Sequence, residues 1–272
     1  MSLSVVVVSY NARAVLFECL RRLTTHYPDA EMLVVDTGSS DGSLAMVRSE
    51  FPQVKLLQVA NRGYAYAVNR GLEHTQGAHT AVMNSDIYLE PGDLEALQQA
   101  LDDDPQAGLA GPVLITPSGK PQSFGPLYAP NYWRLYRPRP VSWLSGALLL
   151  VRRSALERLG GMDERFFFYN EDLEWGLRAR RLGFRNLLVP RRVLHLGGAS
   201  TPRNPRFIAE GYRGGLILSA EYYPGLHGLH RKAVWLEAQL RLRFDPNPMR
   251  RRGYRLLANW LSGENVNASL FL

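Results

Sequence analysis

The chain of 272 residues has a single cysteine, Cys19, so it can form neither an internal disulfide nor a cysteine-based zinc site. A chain so poor in cysteine suits a reducing compartment, and we expect it in the cytoplasm. Its start lacks the basic stretch and small-residue cleavage site of a secretory signal. No apolar run reaches the ~18 residues needed to cross a bilayer. These absences predict a soluble protein, or one attached peripherally to the inner face of a membrane.

Two glycine-rich nucleotide-binding signatures are missing as well. Dinucleotide-binding oxidoreductases carry G-x-G-x-x-G directly after the first strand, and P-loop enzymes carry their own glycine-rich loop there. The first apolar run of this chain is followed by Ser-Tyr-Asn-Ala-Arg at residues 9–13, without a glycine. Hydride transfer and P-loop chemistry are therefore disfavoured.

The charge balance is basic, with 32 Lys and Arg against 25 Asp and Glu and a formal net charge of +7. Such a balance suits a polyanionic partner: nucleic acid, an anionic membrane surface or a phosphorylated substrate. No nucleic-acid-binding motif accompanies the basic residues, which are mixed with an apolar pattern. We therefore expect no nucleic-acid partner.

Apolar strands alternate with helical patterns, which predicts an α/β fold with a mostly parallel sheet. The predicted strands cover residues 3–8, 32–35, 54–60 and 80–83, and the predicted helices cover 14–26, 43–51, 65–74 and 91–102. Polar residues follow the strands at Asn11, Asp36, Asn61 and Asp86. Ligands bind outside the carboxyl ends of strands in open α/β sheets, so these residues mark the expected site.

Two later regions differ from this pattern. Residues 116–139 are rich in Pro, Gly and aromatic residues and are predicted to form a long loop. From residue 204 onward the pattern is helical and basic. We predict a domain over residues 1–203 and a helical extension over 204–272, which either stands apart or packs on the same domain.

Two ionisable residues are candidate metal ligands. Asp86 ends a predicted strand and can hold Mg²⁺ or Mn²⁺ together with phosphate oxygens, although a plain polar turn is the alternative. His195 follows a strand-like run at residues 186–189. It can complete a metal site beside Asp86, although a structural role is commoner for a single histidine.

An acidic pair begins a predicted helix at residues 170–182, with Asn170 as its cap. Glu171 and Asp172 can both complement the helix dipole. They point about 100° apart, so one of them can face a cleft while the other braces the helix. A carboxylate in that cleft can accept the proton of an attacking hydroxyl.

Seven segments, in this order, resemble glycosyltransferase family 2, and the nearest subgroup is the bacterial rhamnosyltransferase-like enzymes. They are residues 5–11, 34–42, 61–71, 84–86, 160–164, 171–172 and His195. The resemblance covers about residues 3–200. It implies a GT-A fold, a UDP- or dTDP-sugar donor, a divalent metal and inversion at the anomeric carbon. The acceptor it implies is a glycan or a lipid-linked molecule, in cell-wall or polysaccharide biosynthesis.

The resemblance also implies a role for individual residues. Asp172 is the catalytic base, Asp86 and His195 are the metal ligands, and Asp36 binds the base of the nucleotide. The other residues of the nucleotide pocket are Ser9, Tyr10, Asn11, Asn69, Asn84 and Ser85, and those on the acceptor side are Trp143, Ser145, Gly146 and Glu171. Asn84 stands where the family's D-x-D element has its first Asp, so less negative charge is available to a metal here.

Several alternatives stay open at the level of sequence. A nucleotidyltransferase could share the fold and the metal, and a non-catalytic sugar-nucleotide-binding protein is compatible with Asn84. The basic segment at residues 230–255 either rests on an anionic membrane or packs as surface helices with a solvated basic face. Residues 118–139 are expected to set the choice of acceptor.

Overall fold

A computed structural model describes residues 2–122, 136–197, 204–263 and 269–271. Part of the predicted long loop, residues 123–135, lies outside this range. The strands are β1 Leu3–Ser9, β2 Glu31–Asp36, β3 Lys55–Gln58, β4 His79–Asn84, β5 Ile87–Tyr88, β6 Ala107–Ile115, β7 Arg139–Val141, β8 Leu148–Arg152 and β9 Arg185–His195. The helices are α1 Arg13–His26, α2 Ser43–Glu50, α3 Tyr64–Glu73, α4 Asp93–Asp103, α5 Arg153–Leu159, α6 Glu171–Arg181, α7 Arg206–Tyr222, α8 Pro224–Phe244 and α9 Pro248–Ser262.

Within the described residues the strands form one nine-stranded sheet in the order β3-β2-β1-β4-β8-β6-β9-β5, and β7 pairs with β9. The first four strands of this order are parallel to one another. β8 is antiparallel to both of its neighbours, whereas β6 and β9 are parallel. Six strands therefore run in one direction, which confirms the predicted α/β class with a mostly parallel sheet.

The centre of the sheet is buried on both faces. Val5, Val6 and Val7 of β1 are completely buried, and each buried side chain of this size contributes about 1.5–3 kcal/mol relative to exposure. α3 approaches this strand closely at Gly71, where a Cβ atom would lie 2.3 Å from Cγ1 of Val6. The close approach explains why a glycine is needed at this point of the helix.

β9 corrects one sequence-based expectation. The predicted strand at residues 186–189 is too short, because β9 continues through an irregularity in its pairing with β6 and ends at His195. His195 is thus the last residue of a strand rather than part of the loop after it. The irregularity lies opposite Pro112 and Val113 of β6.

The chain divides into two compact units. The first contains the sheet and comprises residues 1–61, 67–162 and 172–201, and the second comprises residues 62–66, 163–171 and 202–272. The predicted boundary at residue 203 lies close to the last of these divisions, but the second unit also includes two short earlier segments. No helix in the described ranges is long and apolar enough to span a membrane.

The second unit has its own core, formed where α7, α8 and α9 pack together around Leu216, Ala238 and Leu257. Its earlier segment, residues 163–171, is held by contacts within the same unit. The buried ion pair between Glu210 and Arg213 bonds to the backbone of this segment, and Phe167 stacks on Phe271 with ring centroids 4.4 Å apart.

Candidate functional site

Polar residues from neighbouring strands meet at the carboxyl edge of the sheet, as the sequence predicts. Ser9 of β1 is paired with Asp36 of β2, and Val8 is paired with Asn84 of β4. β8 runs in the opposite direction and starts at this edge, beside the end of β4. β5 pairs with the last residues of β9 through Ile87 and His195.

Asp36 and Ser9 present buried oxygen atoms that lack partners. Oδ1 of Asp36 accepts hydrogen bonds from the backbone N–H groups of Gly38 at 3.0 Å and Ser39 at 2.8 Å. Oδ2 of Asp36 and Oγ of Ser9 are buried and have no hydrogen-bond partner in the described part of the chain. Buried polar atoms are nearly always satisfied, so these two atoms fit a site in which a ligand supplies the missing partners.

Asn11 shapes the loop beside them. Its backbone is left-handed, with φ of 46°, a conformation that asparagine tolerates better than most residues. Its N–H donates to Oγ of Ser39 and its Oδ1 accepts from the N–H of Ser40, both at 2.8 Å. The side chain of Asn11 thus ties the end of β1 to the loop after β2, next to the partly exposed Tyr10.

Asp86 and His195 face each other at the same edge. Oδ1 of Asp86 lies 3.2 Å from Nε2 of His195, yet this buried oxygen takes part in no hydrogen bond within the described residues. The other ring nitrogen, Nδ1, is 2.8 Å from Oε1 of Gln122, whose Nε2 donates to the backbone oxygen of His195 at 2.9 Å. That second bond fixes the orientation of the Gln122 amide, so Nδ1 of His195 donates to Oε1, and Nε2 is the ring nitrogen that faces Asp86.

This arrangement fits a divalent metal. Histidine ligands commonly donate the second ring N–H to an oxygen acceptor, as His195 does to Gln122. In the neutral ring Nε2 carries a lone pair, and a lone pair 3.2 Å from a buried carboxylate oxygen is suited to a shared cation. No group of three His, Cys, Asp or Glu side chains able to hold a metal occurs in the ranges described. A metal here would depend on ligand phosphates for further oxygens, as Mg²⁺ sites usually do.

Asp172 is hydrogen-bonded to the backbone of the turn that precedes β8. Its Oδ2 accepts from the N–H of Gly146 and its Oδ1 from the N–H of Leu173, each at 2.8 Å. The same turn is joined to the end of β4, because the N–H of Asn84 donates to the carbonyl of Ala147 at 2.9 Å. Asp172 is thereby connected to the end of β4, two residues before Asp86.

The environment of Asp172 changes its acidity. Burial raises the pKa of its carboxyl group above the ordinary value, and the hydrogen bonds from Gly146 and Leu173 offset only part of that effect. The residue as a whole is only partly buried. A carboxylate with a raised pKa is a better proton acceptor than an ordinary surface aspartate.

The remaining predicted residues occupy different positions. The side-chain amide of Asn69 is bound to the backbone N–H and carbonyl of Met162, at 2.7 and 2.8 Å, so its proposed contact with a nucleotide stays a prediction. Trp143, Ser145 and Ser85 are buried in the first unit. Glu171 is buried too, but it belongs to the second unit.

Gln122 is the residue at this site that sequence reasoning missed. It lies at the start of the region predicted as a long loop, just after the bridge between Ile115 and Pro121. Glutamine is common on protein surfaces, and no local pattern distinguishes this one. Only the pairing of β6 with β9 brings it to His195.

Comparison with known proteins identifies the family and the fold of the chain. Residues 4–160 match the family model described as glycosyl transferase family 2. An N-acetylglucosaminyl-diphospho-decaprenol L-rhamnosyltransferase of Mycobacterium tuberculosis is 33% identical over 94% of this chain and 97% of its own length.

Solved structures share the fold. The mannosyltransferase PcManGT from Pyrobaculum calidifontis, in complex with GDP-Man and Mn²⁺, matches with a TM-score of 0.59 and 20% identity over 99% of this chain and 78% of its own. S. aureus TarS 1-349 in complex with UDP matches with a TM-score of 0.61 and 18% identity over 90% of this chain and 73% of its own. These likenesses confirm the expected GT-A fold. With the family match and the full-length relative, they establish that this chain belongs to glycosyltransferase family 2 and is a rhamnosyltransferase-like glycosyltransferase.

Proposed function

We propose that this glycosyltransferase moves a sugar, rhamnose or a close relative, from a UDP- or dTDP-sugar to a hydroxyl of a lipid-linked acceptor, with inversion at the anomeric carbon. The observation that carries the proposal is the edge at which Asp172, Asp86 and His195 are joined through the ends of β4, β8 and β9. The acceptor class is suggested by the name of the mycobacterial relative, whose acceptor ends in N-acetylglucosamine linked by diphosphate to decaprenol.

In the proposed reaction, Asp172 receives the proton of the acceptor hydroxyl. As the hydroxyl oxygen bonds to the anomeric carbon, the bond from that carbon to the diphosphate oxygen breaks, and the nucleoside diphosphate leaves with the bonding pair. The N–H groups of Gly146 and Leu173 hold both oxygens of Asp172 in place. A carboxylate that is already held in place loses little conformational entropy on reaching the transition state, whereas a mobile one would lose more.

Asp86 and His195 would hold a divalent cation, either Mg²⁺ or Mn²⁺. When bound, such a cation neutralises negative charge on the departing diphosphate. By accepting from Nδ1, Gln122 leaves Nε2 of His195 as the ring nitrogen available to the cation and holds the ring in its orientation. Since Asn84 brings no charge, the protein contributes one carboxylate here, and we expect weaker metal affinity than a site with two would have.

The donor pocket would use the partnerless oxygens of Asp36 and Ser9. Oδ2 of Asp36 is suited to accept the N3–H of uracil or thymine, and Oγ of Ser9 can donate to the nucleotide. Trp143, Ser145, Gly146 and Glu171 are proposed on the acceptor side.

The test compares Asp172→Asn with the surface control Asp103→Asn. We expect Asp172→Asn to lower turnover at least 100-fold, because removal of a general base costs roughly 10²–10⁴ in rate. The dissociation constant for UDP or dTDP, measured by calorimetry with Mn²⁺ present, should stay within twofold. Asp103→Asn should match the unmodified enzyme in both measurements. Full turnover in Asp172→Asn would refute the assignment of the base.

A further inference from the structure

Helix α8 exposes a continuous row of large apolar side chains. The exposed fractions are 61% for Leu226, 69% for Leu229, 54% for Leu236, 51% for Leu240 and 70% for Phe244. Together with the exposed Ala233, these residues are spaced by 3, 4, 3, 4 and 4 positions. On a helix of 3.6 residues per turn they occupy an arc of about 80° and a length of about 27 Å. We call this row the α8 stripe.

The α8 stripe does not serve the core of its own unit. The side of α8 that packs against α7 and α9 carries the buried residues Val234 and Ala238, about 140° from the middle of the stripe around the helix. A helix that is apolar on two separate faces has more apolar surface than its packing requires. Soluble proteins rarely leave a contiguous apolar surface of this extent exposed unless it binds something.

The charges around the stripe indicate what it binds. Lys232 and Arg243 are exposed along one side of it. On the other side Arg241 lies 3.5 Å from Glu237. Over residues 224–263, eight Lys and Arg residues face only two acidic ones. A second copy of this face would bring like charges together, whereas an anionic surface would neutralise them.

We propose that α8 lies in the interface of an anionic lipid bilayer. The α8 stripe would enter the boundary between headgroups and acyl chains, and Lys232 and Arg243 would reach lipid phosphates. The inference rests in part on the proposed function, because a lipid-linked acceptor is presented only at a membrane. An interfacial helix would confine the enzyme to the surface on which that acceptor diffuses.

Co-sedimentation of the full chain with vesicles tests the proposal. We expect binding to vesicles of equal phosphatidylglycerol and phosphatidylcholine, and at least tenfold weaker binding to phosphatidylcholine alone. The double variant Leu236→Ser with Leu240→Ser should bind anionic vesicles at least tenfold more weakly, and Lys232→Gln with Arg243→Gln should weaken binding and reduce its dependence on salt. The matched control is Trp235→Ser. Trp235 is 49% exposed on the same helix but lies about 140° from the middle of the stripe, so its loss should change binding less than twofold.

Two results would overturn the proposal. One is equal vesicle binding by the Leu236 and Leu240 double variant and the unmodified chain, with circular dichroism showing both folded. The other is a dimer of the unmodified chain that the double variant converts to monomer while neither binds vesicles, since the stripe would then join two copies. Turnover on a short water-soluble acceptor separates this proposal from the preceding one, because the double variant should keep that activity even as it loses activity on vesicle-embedded acceptor.

Discussion

Asp36→Asn is the substitution that tests the proposed nucleotide pocket most sharply, because it changes the group that would contact the nucleobase. In the folded protein the backbone N–H groups of Gly38 and Ser39 both bond to Oδ1. An asparagine keeps these two bonds only if its single oxygen occupies that position. Its NH₂ group must then take the place of Oδ2, so a buried acceptor without a partner becomes a buried donor of nearly the same size.

The magnitude follows from the chemistry of the bases. Uracil and thymine present a donor at N3, whereas cytosine presents an acceptor there. A hydrogen bond to a charged group contributes about 1.5–3 kcal/mol, which corresponds to roughly 10- to 150-fold in affinity. We therefore expect Asp36→Asn to weaken the binding of UDP and dTDP by at least tenfold, while CDP binds no more weakly than before.

Isothermal calorimetry with UDP, dTDP and CDP, on the unmodified chain and the variant, measures this change directly. Asp103→Asn again serves as the control for the general loss of one negative charge. The proposed contact between Asp36 and the base is refuted by unchanged affinity for both UDP and dTDP. Equal weakening of all three nucleotides would refute it as well, because the loss would then not depend on N3.

Three further predictions concern the proposed general base, the packing of α3 on the sheet and a glycine of α8. Because burial raises the pKa of Asp172, the acid limb of a plot of kcat against pH should have its midpoint above the ordinary Asp pKa of about 3.9. The rate should be lost as the pH falls through the raised pKa, since the carboxylate is then protonated. A midpoint at or below about 3.9 would contradict the role of this group. Gly71→Ala should reduce the free energy of unfolding by about 1–3 kcal/mol through overpacking against Val6. Gly228→Ala in α8, where an added Cβ meets nothing within 4 Å, should instead increase it by about 0.5–1 kcal/mol in urea titrations.

The first half of the fold could be predicted because each strand is a short apolar run followed by a polar turn. β1, β2 and β4 and the helices between them lie within two residues of their predicted bounds. β6 could not be predicted in this way, because Gly108, Gly111 and Pro112 interrupt its apolar pattern and resemble turn residues. The glycines are required by tertiary packing: a Cβ on Gly108 would lie 3.0 Å from the ring of Phe184.

The site shows the same division between local and long-range information. The ends of β1, β2 and β4 point to this edge of the sheet from the sequence alone, since the polar residues Asn11, Asp36 and Asp86 come within three positions of the apolar runs. The bond between Asp172 and Gly146 joins residues 26 positions apart, and the bond between His195 and Gln122 joins residues 73 positions apart. Periodicity carries no information about such pairs, and they depend on the order of strands in the sheet.

The second unit is built from segments that lie far apart along the chain, and this affects how the enzyme folds during synthesis and how it can be shortened. Residues 163–171 lead directly into Asp172, but Phe167 stacks on Phe271 and Arg165 pairs with Glu221 at 2.6 Å, more than 50 positions later in the chain. During synthesis this segment emerges long before the residues that hold it. A version cut after residue 203 would keep the edge of the sheet, yet the peptide leading to Asp172, the proposed general base, would have lost its supports. The family match ends at residue 160, so a piece cut at its limits would lack Asp172 and both of the later segments that hold residues 163–171.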